Sequence, residues 1–190
     1  SLVEGSSHYA TASSAPDFGT TTNFTFEVWI YRDSSANLTD AIYEQGGYAY
    51  AKGFLIDIIN GYGSGSGSVA GNSYLRLESG TGSSLNGYIL STANAIPTNT
   101  WTHIAISVER QDDAAGGTVG YTGTDAKSIL YINGEINSRG YVKKSSITNT
   151  EAVLGRIQTQ PSTYFSGKMT NIRIWNTNLS QSTIDTYKFI

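Results

Sequence analysis

With 190 residues the chain has the length of a single all-β sandwich and can bury a sizeable core. Its 12 Lys plus Arg against 15 Asp plus Glu give a formal net charge of −3 and no basic footprint, which argues against nucleic acid and anionic membrane surfaces as partners. The absence of cysteine excludes disulfides, thiolate catalysis and zinc–thiolate sites, and no run approaches the ~20 apolar residues of a membrane span.

Along the chain the dominant period is two. Leu2 and Val3 read as a strand already under way, so the chain is expected to start at a domain edge within a longer protein. In "NFTFEVWIYR" Phe24, Phe26, Val28 and Ile30 fall on one face, and Thr25, Glu27, Trp29 and Tyr31 on the other. Further strands are expected at Ala41–Gln45, Gly53–Asn60, Ser73–Glu78, Gly87–Ser91, Trp101–Glu109, Ser128–Ile132, Ala152–Ile157 and Lys168–Trp175. Turn-forming clusters such as "NGYGSGSGSVAGN" and "QDDAAGGTVGYTGTDA" separate them. "ING" at Ile132–Gly134 is a tight hairpin, because Asn and Gly tolerate positive φ. Only the end reads as helix, with Ser180 as cap and Ile184 sharing a face with Tyr187 or Lys188. Many short strands and almost no helix predict one all-β domain over 1–190, an antiparallel jelly-roll β-sandwich of two sheets with a short C-terminal helix. Trp29 and Trp175, each in an alternating strand, are expected to be costly to remove.

Six blocks, "SLVEGSSHYAT", "FTFEVWIYR", "WTHIAISVE", "ILYINGEI", "VLGR" and "GKMTNIRIWNTNLSQSTI", occur in an order and spacing that resembles the laminin-G-like and pentraxin-like branch of the concanavalin A-like lectin/glucanase superfamily. The resemblance implies that strands 101–109 and 128–132 are neighbours, joined by a tolerant loop at one rim. It also implies calcium ligands that this chain lacks. Leu154–Gly155 is followed by Arg156, Ile157, Gln158 and Thr159 instead of an acidic run, while His8 and Asn171 stand where relatives carry Asp. Without carboxylates a calcium site is weak, so no cofactor is expected and calcium is disfavoured. The family's disulfide positions are occupied by Glu27 and Ala105, which the resemblance sets on adjacent strands.

The glucanases of this superfamily use a Glu-x-Asp-x-x-Glu strand, and no such run occurs here. Glu27 could share a face with His103 and Arg173, the neighbourhood an acid or base needs, yet its plainer role is a hydrogen bond or ion pair inside the sheet. A non-enzyme is expected. The loops offer tyrosines and amides suited to a sugar ring: Tyr48, Tyr50, Tyr62, Gln158, Gln160 and Tyr164. Asp112, Asp113 and Asp125 fall in one loop system, a weak candidate cation site whose plainer reading is a solvated loop. The resulting expectation is a non-catalytic carbohydrate-binding, lectin-like module of an extracellular or cell-surface adhesion protein, with a glycan or a cell-surface protein as partner. The alternative is a recognition or assembly module at the tip of a surface fibre, with homo-oligomers formed through flanking regions.

Overall fold

The computed structural model describes residues 9–19, 21–33, 38–46, 53–61, 72–80, 85–110, 125–144, 151–158, 160 and 163–189. These form strands β1 (Ala10–Ala12), β2 (Phe24–Arg32), β3 (Thr39–Gln45), β4 (Phe54–Asn60), β5 (Ser73–Gly80), β6 (Leu85–Leu90), β7 (Trp101–Glu109), β8 (Asp125–Ile132), β9 (Glu135–Lys143), β10 (Ala152–Leu154) and β11 (Gly167–Trp175), followed by helix α1 (Gln181–Tyr187). Two antiparallel sheets pack face to face, one ordered β1-β10-β3-β4-β5-β6 and the other β11-β2-β7-β8-β9.

The alternation in the sequence becomes the two sides of each sheet. Phe24, Phe26, Val28 and Ile30 of β2 join Ile104, Ile106 and Val108 of β7 against Ile56, Ile58, Leu75 and Leu77 of the six-stranded sheet. Polar groups close the ends of this core: Arg32 Nε donates to Asp40 Oδ2 at 3.0 Å, and buried Arg110 donates to the Phe18 carbonyl at 3.3 Å.

Part of the outer face of the five-stranded sheet is covered by α1. Ser180 caps α1 by accepting from Thr183 N, and α1 lays Ile184 on Ala105 and Tyr131. Ala105 pairs in register with Glu27, as the resemblance implied. A small side chain here leaves room for the helix, and no Cys pair is needed. Trp29 and Trp175 stand on this outer face, half-buried rather than in the inter-sheet core. Each is pinned through its indole N–H, to the Lys188 carbonyl and to Glu27 Oε1, both at 2.6 Å.

The β8–β9 hairpin turns at Asn133 and Gly134, with φ of 54° and 86°. β9 is a strand beyond those expected from the sequence, and the three-residue β10 is shorter than expected. The strand expected to reach Ile157 stops at Leu154, because Gly155 turns at φ 80° and donates its N–H to the Ile42 carbonyl. Asp125, placed by sequence reading in a loop, is the first residue of β8 and pairs with Lys143 of β9. Leu2 and Val3 lie outside the described residues, as does His8.

Candidate functional site

The early end of β10 creates the site. Beyond Gly155 the chain folds over the outer face of the six-stranded sheet and buries Ile157 on Ala41 and Leu55. The turn then closes on itself: Ile157 N donates to Thr163 Oγ1 at 3.0 Å, and Thr163 Oγ1 donates to the Gln160 carbonyl at 2.7 Å. Ala41 N reaches the Thr163 carbonyl at 3.1 Å, which fastens the turn to β3. Gln158, Gln160 and Tyr164 all lie on the segment that this cross-bonding fastens to β3.

Gln158 is held at both ends. Its backbone N–H donates to Glu44 Oε2 and its side-chain Nε2 to Glu151 Oε1, each at 2.7 Å. Tyr164 lies beside Tyr9, with ring centroids 6.3 Å apart and planes at 45°. The Arg156 guanidinium covers one face of Tyr9 at 3.7 Å from its centroid, and Tyr9 remains 42% exposed. Tyr9, Arg156, Glu44 and Glu151 were missed as site residues. Tyr9 was legible only as the aromatic of "SSHYAT", while the others depend on pairing between β1, β10 and β3 across more than a hundred residues. Tyr48, Tyr50, Tyr62, Asp112 and Asp113 lie outside the described residues.

Carboxylates do gather on this sheet face. Glu44, Leu55, Glu78 and Tyr88 form one cross-strand row, and Ala41, Asp57, Arg76 and Leu90 the next. Each carboxylate already has a strong partner. Arg76 forks onto both oxygens of Asp57 at 2.9 and 2.7 Å and reaches Glu78 at 2.6 Å, while Glu44 accepts from Gln158 N. Burial pushes the Asp57 carboxyl above the ordinary carboxylate range, against the pull of Arg76. Glu44 and Glu78 lie on either side of the strand carrying Leu55, and each is already engaged, by Gln158 N and by Arg76.

On the other sheet Glu27 accepts from Trp175 and lies 3.2 Å from His103 Nε2. It is 1% exposed beneath α1, a position that fits the in-sheet role and denies it access to a substrate.

Asp125 is engaged by Lys143, and among the described residues no group of three His, Asp or Glu is arranged to hold a metal ion. Nor, among these residues, is any helix long and apolar enough to cross a membrane.

A Laminin_G_3 family model, described as the concanavalin A-like lectin/glucanases superfamily, matches residues 4–185. The chain belongs to this family. No curated protein sequence matches it. Among solved structures it is similar to domain 4 of AbnA, an extracellular arabinanase from Geobacillus stearothermophilus, at 20% identity and a TM-score of 0.54 over 90% of this chain and 69% of that one. A Bacteroides ovatus protein described as a candidate carbohydrate-binding protein aligns at 20% identity and 0.64, over 95% of this chain and 44% of the other. The receptor binding domain of botulinum neurotoxin type G aligns at 15% and 0.60, over 97% and 40%. At these identities the likeness is one of fold. The chain also spans less than half of the last two proteins.

Proposed function

We propose that this laminin-G-like domain is a non-catalytic carbohydrate-binding module of an extracellular or cell-surface adhesion protein. The observation that carries the reading is the half-open tyrosine pair Tyr9–Tyr164 on a rim whose amides are fixed in place by Glu44 and Glu151. A sugar ring offers an apolar C–H face and a girdle of hydroxyls. A tyrosine ring suits the first, and a held glutamine, both donor and acceptor, suits the second. That rim hydrogen bonds exist before any ligand arrives lowers the ordering cost of binding. The neighbour from the arabinanase, which is in complex with arabinotriose, supports the ligand class by analogy of fold. Non-catalysis is supported by the engagement of Glu44, Asp57 and Glu78 by Gln158 and Arg76.

The test is a glycan array spanning neutral and acidic sugars, read with and without calcium. Binding that Tyr164→Ala weakens supports the rim, and uniform silence overturns the reading. One observation favours the second reading, recognition of a protein or assembly of a fibre tip: β11 is an edge strand whose Ile172 is exposed. Sedimentation separates the two, since a stable trimer points to assembly.

A further inference from the structure

The outer face of the five-stranded sheet is only partly covered by α1. Four cross-strand rows run over it. The first two, Trp175–Thr25–Ser107–Ile129 and Arg173–Glu27–Ala105–Tyr131, lie at the level of the helix, where Ile184 seats on Ala105 and Tyr131. The next two, Thr170–Trp29–His103 and Lys168–Tyr31–Trp101, lie beyond the helix end. There the segment after α1 forms a wall, with Lys188 and Phe189 lining an open cleft of about 320 Å³ together with Trp29, Trp101, Thr170 and Asn171. Such a volume is at the lower end of small-ligand sites, ~300–1,000 Å³.

Each aromatic of the cleft is held by something other than a ligand. Trp29 is fixed by its N–H bond to the Lys188 carbonyl and packs between His103 at 5.4 Å and Phe189 at 6.1 Å. Trp101 leans on Tyr31 at 5.7 Å and is still 43% exposed, at the start of an otherwise buried strand. That open part of the indole, a little under half of its surface, gains nothing for the fold. The polar side of the cleft is equally deliberate. One extra residue in β11 between Thr170 and Arg173 makes a bulge, and Asn171 takes φ 51° there. Bulges re-aim side chains, and Asn tolerates this backbone region where most residues do not. Thr170 and Asn171 are both exposed beside the indoles.

We propose that this cleft is a second carbohydrate site, which seats a neutral pyranose ring against Trp101 and Trp29 and hydrogen-bonds its hydroxyls through Thr170 and Asn171. The proposal rests on the carbohydrate-binding reading above but uses the opposite sheet. Aromatic faces carry negative quadrupole charge and match the C–H face of a sugar, whereas an amide and a hydroxyl each donate and accept, as ring hydroxyls require. A purely apolar partner would strand these two groups without partners. The cation of the cleft is already matched: Lys188 Nζ donates to Asp185 Oδ1 at 2.6 Å and to the Asn133 carbonyl at 2.9 Å, which leaves little call for an acidic sugar.

The chain has three tryptophans, and two of them line the cleft. Intrinsic fluorescence therefore reports this site directly and is insensitive to ligands seated at the Tyr9–Tyr164 rim. The experiment titrates array-positive neutral glycans into the parent and into Tyr164→Ala, Trp101→Ala and Asn171→Gly, the last of which keeps the positive φ while removing the amide. Expected are a saturable change in emission that survives Tyr164→Ala, and a loss of affinity of at least tenfold in Asn171→Gly, with Trp101→Ala reproducing that loss by calorimetry. No emission change at saturating glycan, or affinities within twofold of the parent for both cleft variants, overturns the cleft while leaving the rim intact. Binding confined to sialylated or uronic sugars overturns the neutral pyranose. A parent silent to every glycan overturns both sites together.

Discussion

The indole N–H of Trp175 donates to Glu27 Oε1 at 2.6 Å, joining residues 148 positions apart in the chain. Glu27 is almost fully buried, its other oxygen lies 3.2 Å from His103 Nε2, and its strand neighbour is Ala105 under the helix. A buried carboxylate is tolerated only when it is paired and hydrogen-bonded. Glu27→Ala is expected to cost about 3 kcal/mol, since it strands the Trp175 N–H and His103 together. Glu27→Gln retains an acceptor for Trp175 and should cost about 1 kcal/mol. In this size range 1 kcal/mol moves Tm by about 2–4 °C, so thermal melts resolve the two. Equal losses would mean that charge, not the hydrogen bond, holds the residue.

The two outer-face tryptophans should rank below the inter-sheet core. Phe26→Ala removes a fully buried ring and is expected to cost about 3–5 kcal/mol. Trp29 and Trp175 are half-buried, and each loses one indole hydrogen bond along with its packing, so Trp29→Ala and Trp175→Ala are expected to cost about 2–3 kcal/mol. Denaturant midpoints measured under one condition give the order. A Trp29→Ala variant as stable as the parent would assign that ring wholly to the cleft.

How far the residues announced this structure depends on the range of the interaction involved. Period-two strands such as Trp101–Glu109, the Asn133–Gly134 turn and the Ser180 cap all rest on local stereochemistry, and all stand where they were expected. The core face of β2 was equally plain from alternation. Its other face was legible only in part: Glu27 and His103 could be set side by side, but not the cover that α1 and the Lys188 carbonyl give to Ala105 and Trp29. The same limit applies to the rim. Gln158 and Tyr164 could be picked out as loop residues, but their partners Glu44 and Tyr9 come from strands that only topology brings alongside. In β11 a one-residue bulge leaves no mark in a pattern of apolar spacing, and the cleft that depends on it went unseen.

Alkaline pH probes the core directly. Burial pushes the Tyr43 phenol well above its ordinary range, and its hydroxyl donates to Gln45 Oε1 at 2.7 Å. In the unfolded chain the same group ionises near ~10. The folded state therefore retains a proton that the unfolded state releases, and stability present below pH ~10 is lost as pH rises beyond it. Tyr43→Phe should be less stable than the parent at pH 7 by about 1 kcal/mol, the worth of one hydrogen bond. That difference should shrink above pH ~10, where only the parent carries the ionisation penalty. Urea melts at pH 7 and pH 11 compare the pair, and a gap that widens with pH would show that the phenol is not protected.

Calcium is the property on which this chain should part from its acidic relatives. Asn171, at the closing-strand position, offers only a neutral amide, and after Leu154–Gly155 the turn presents Arg156, Ile157 and Gln158. Asp125, the one described member of the acidic loop set, is already paired with Lys143, so a metal would have to displace an ammonium before binding. Asp112 and Asp113, outside the described residues, are left to supply the remaining carboxylates. Calcium prefers six to eight oxygens with anionic ligands among them, and such a set binds no tighter than millimolar. At 1 mM calcium and a Kd of ~5 mM, linkage adds about 0.1 kcal/mol, less than a degree in Tm. Melting curves in EDTA and in 1 mM calcium should therefore superimpose. A rise of several degrees that Asp125→Asn abolishes would reverse this reading and move the functional rim to the start of β8.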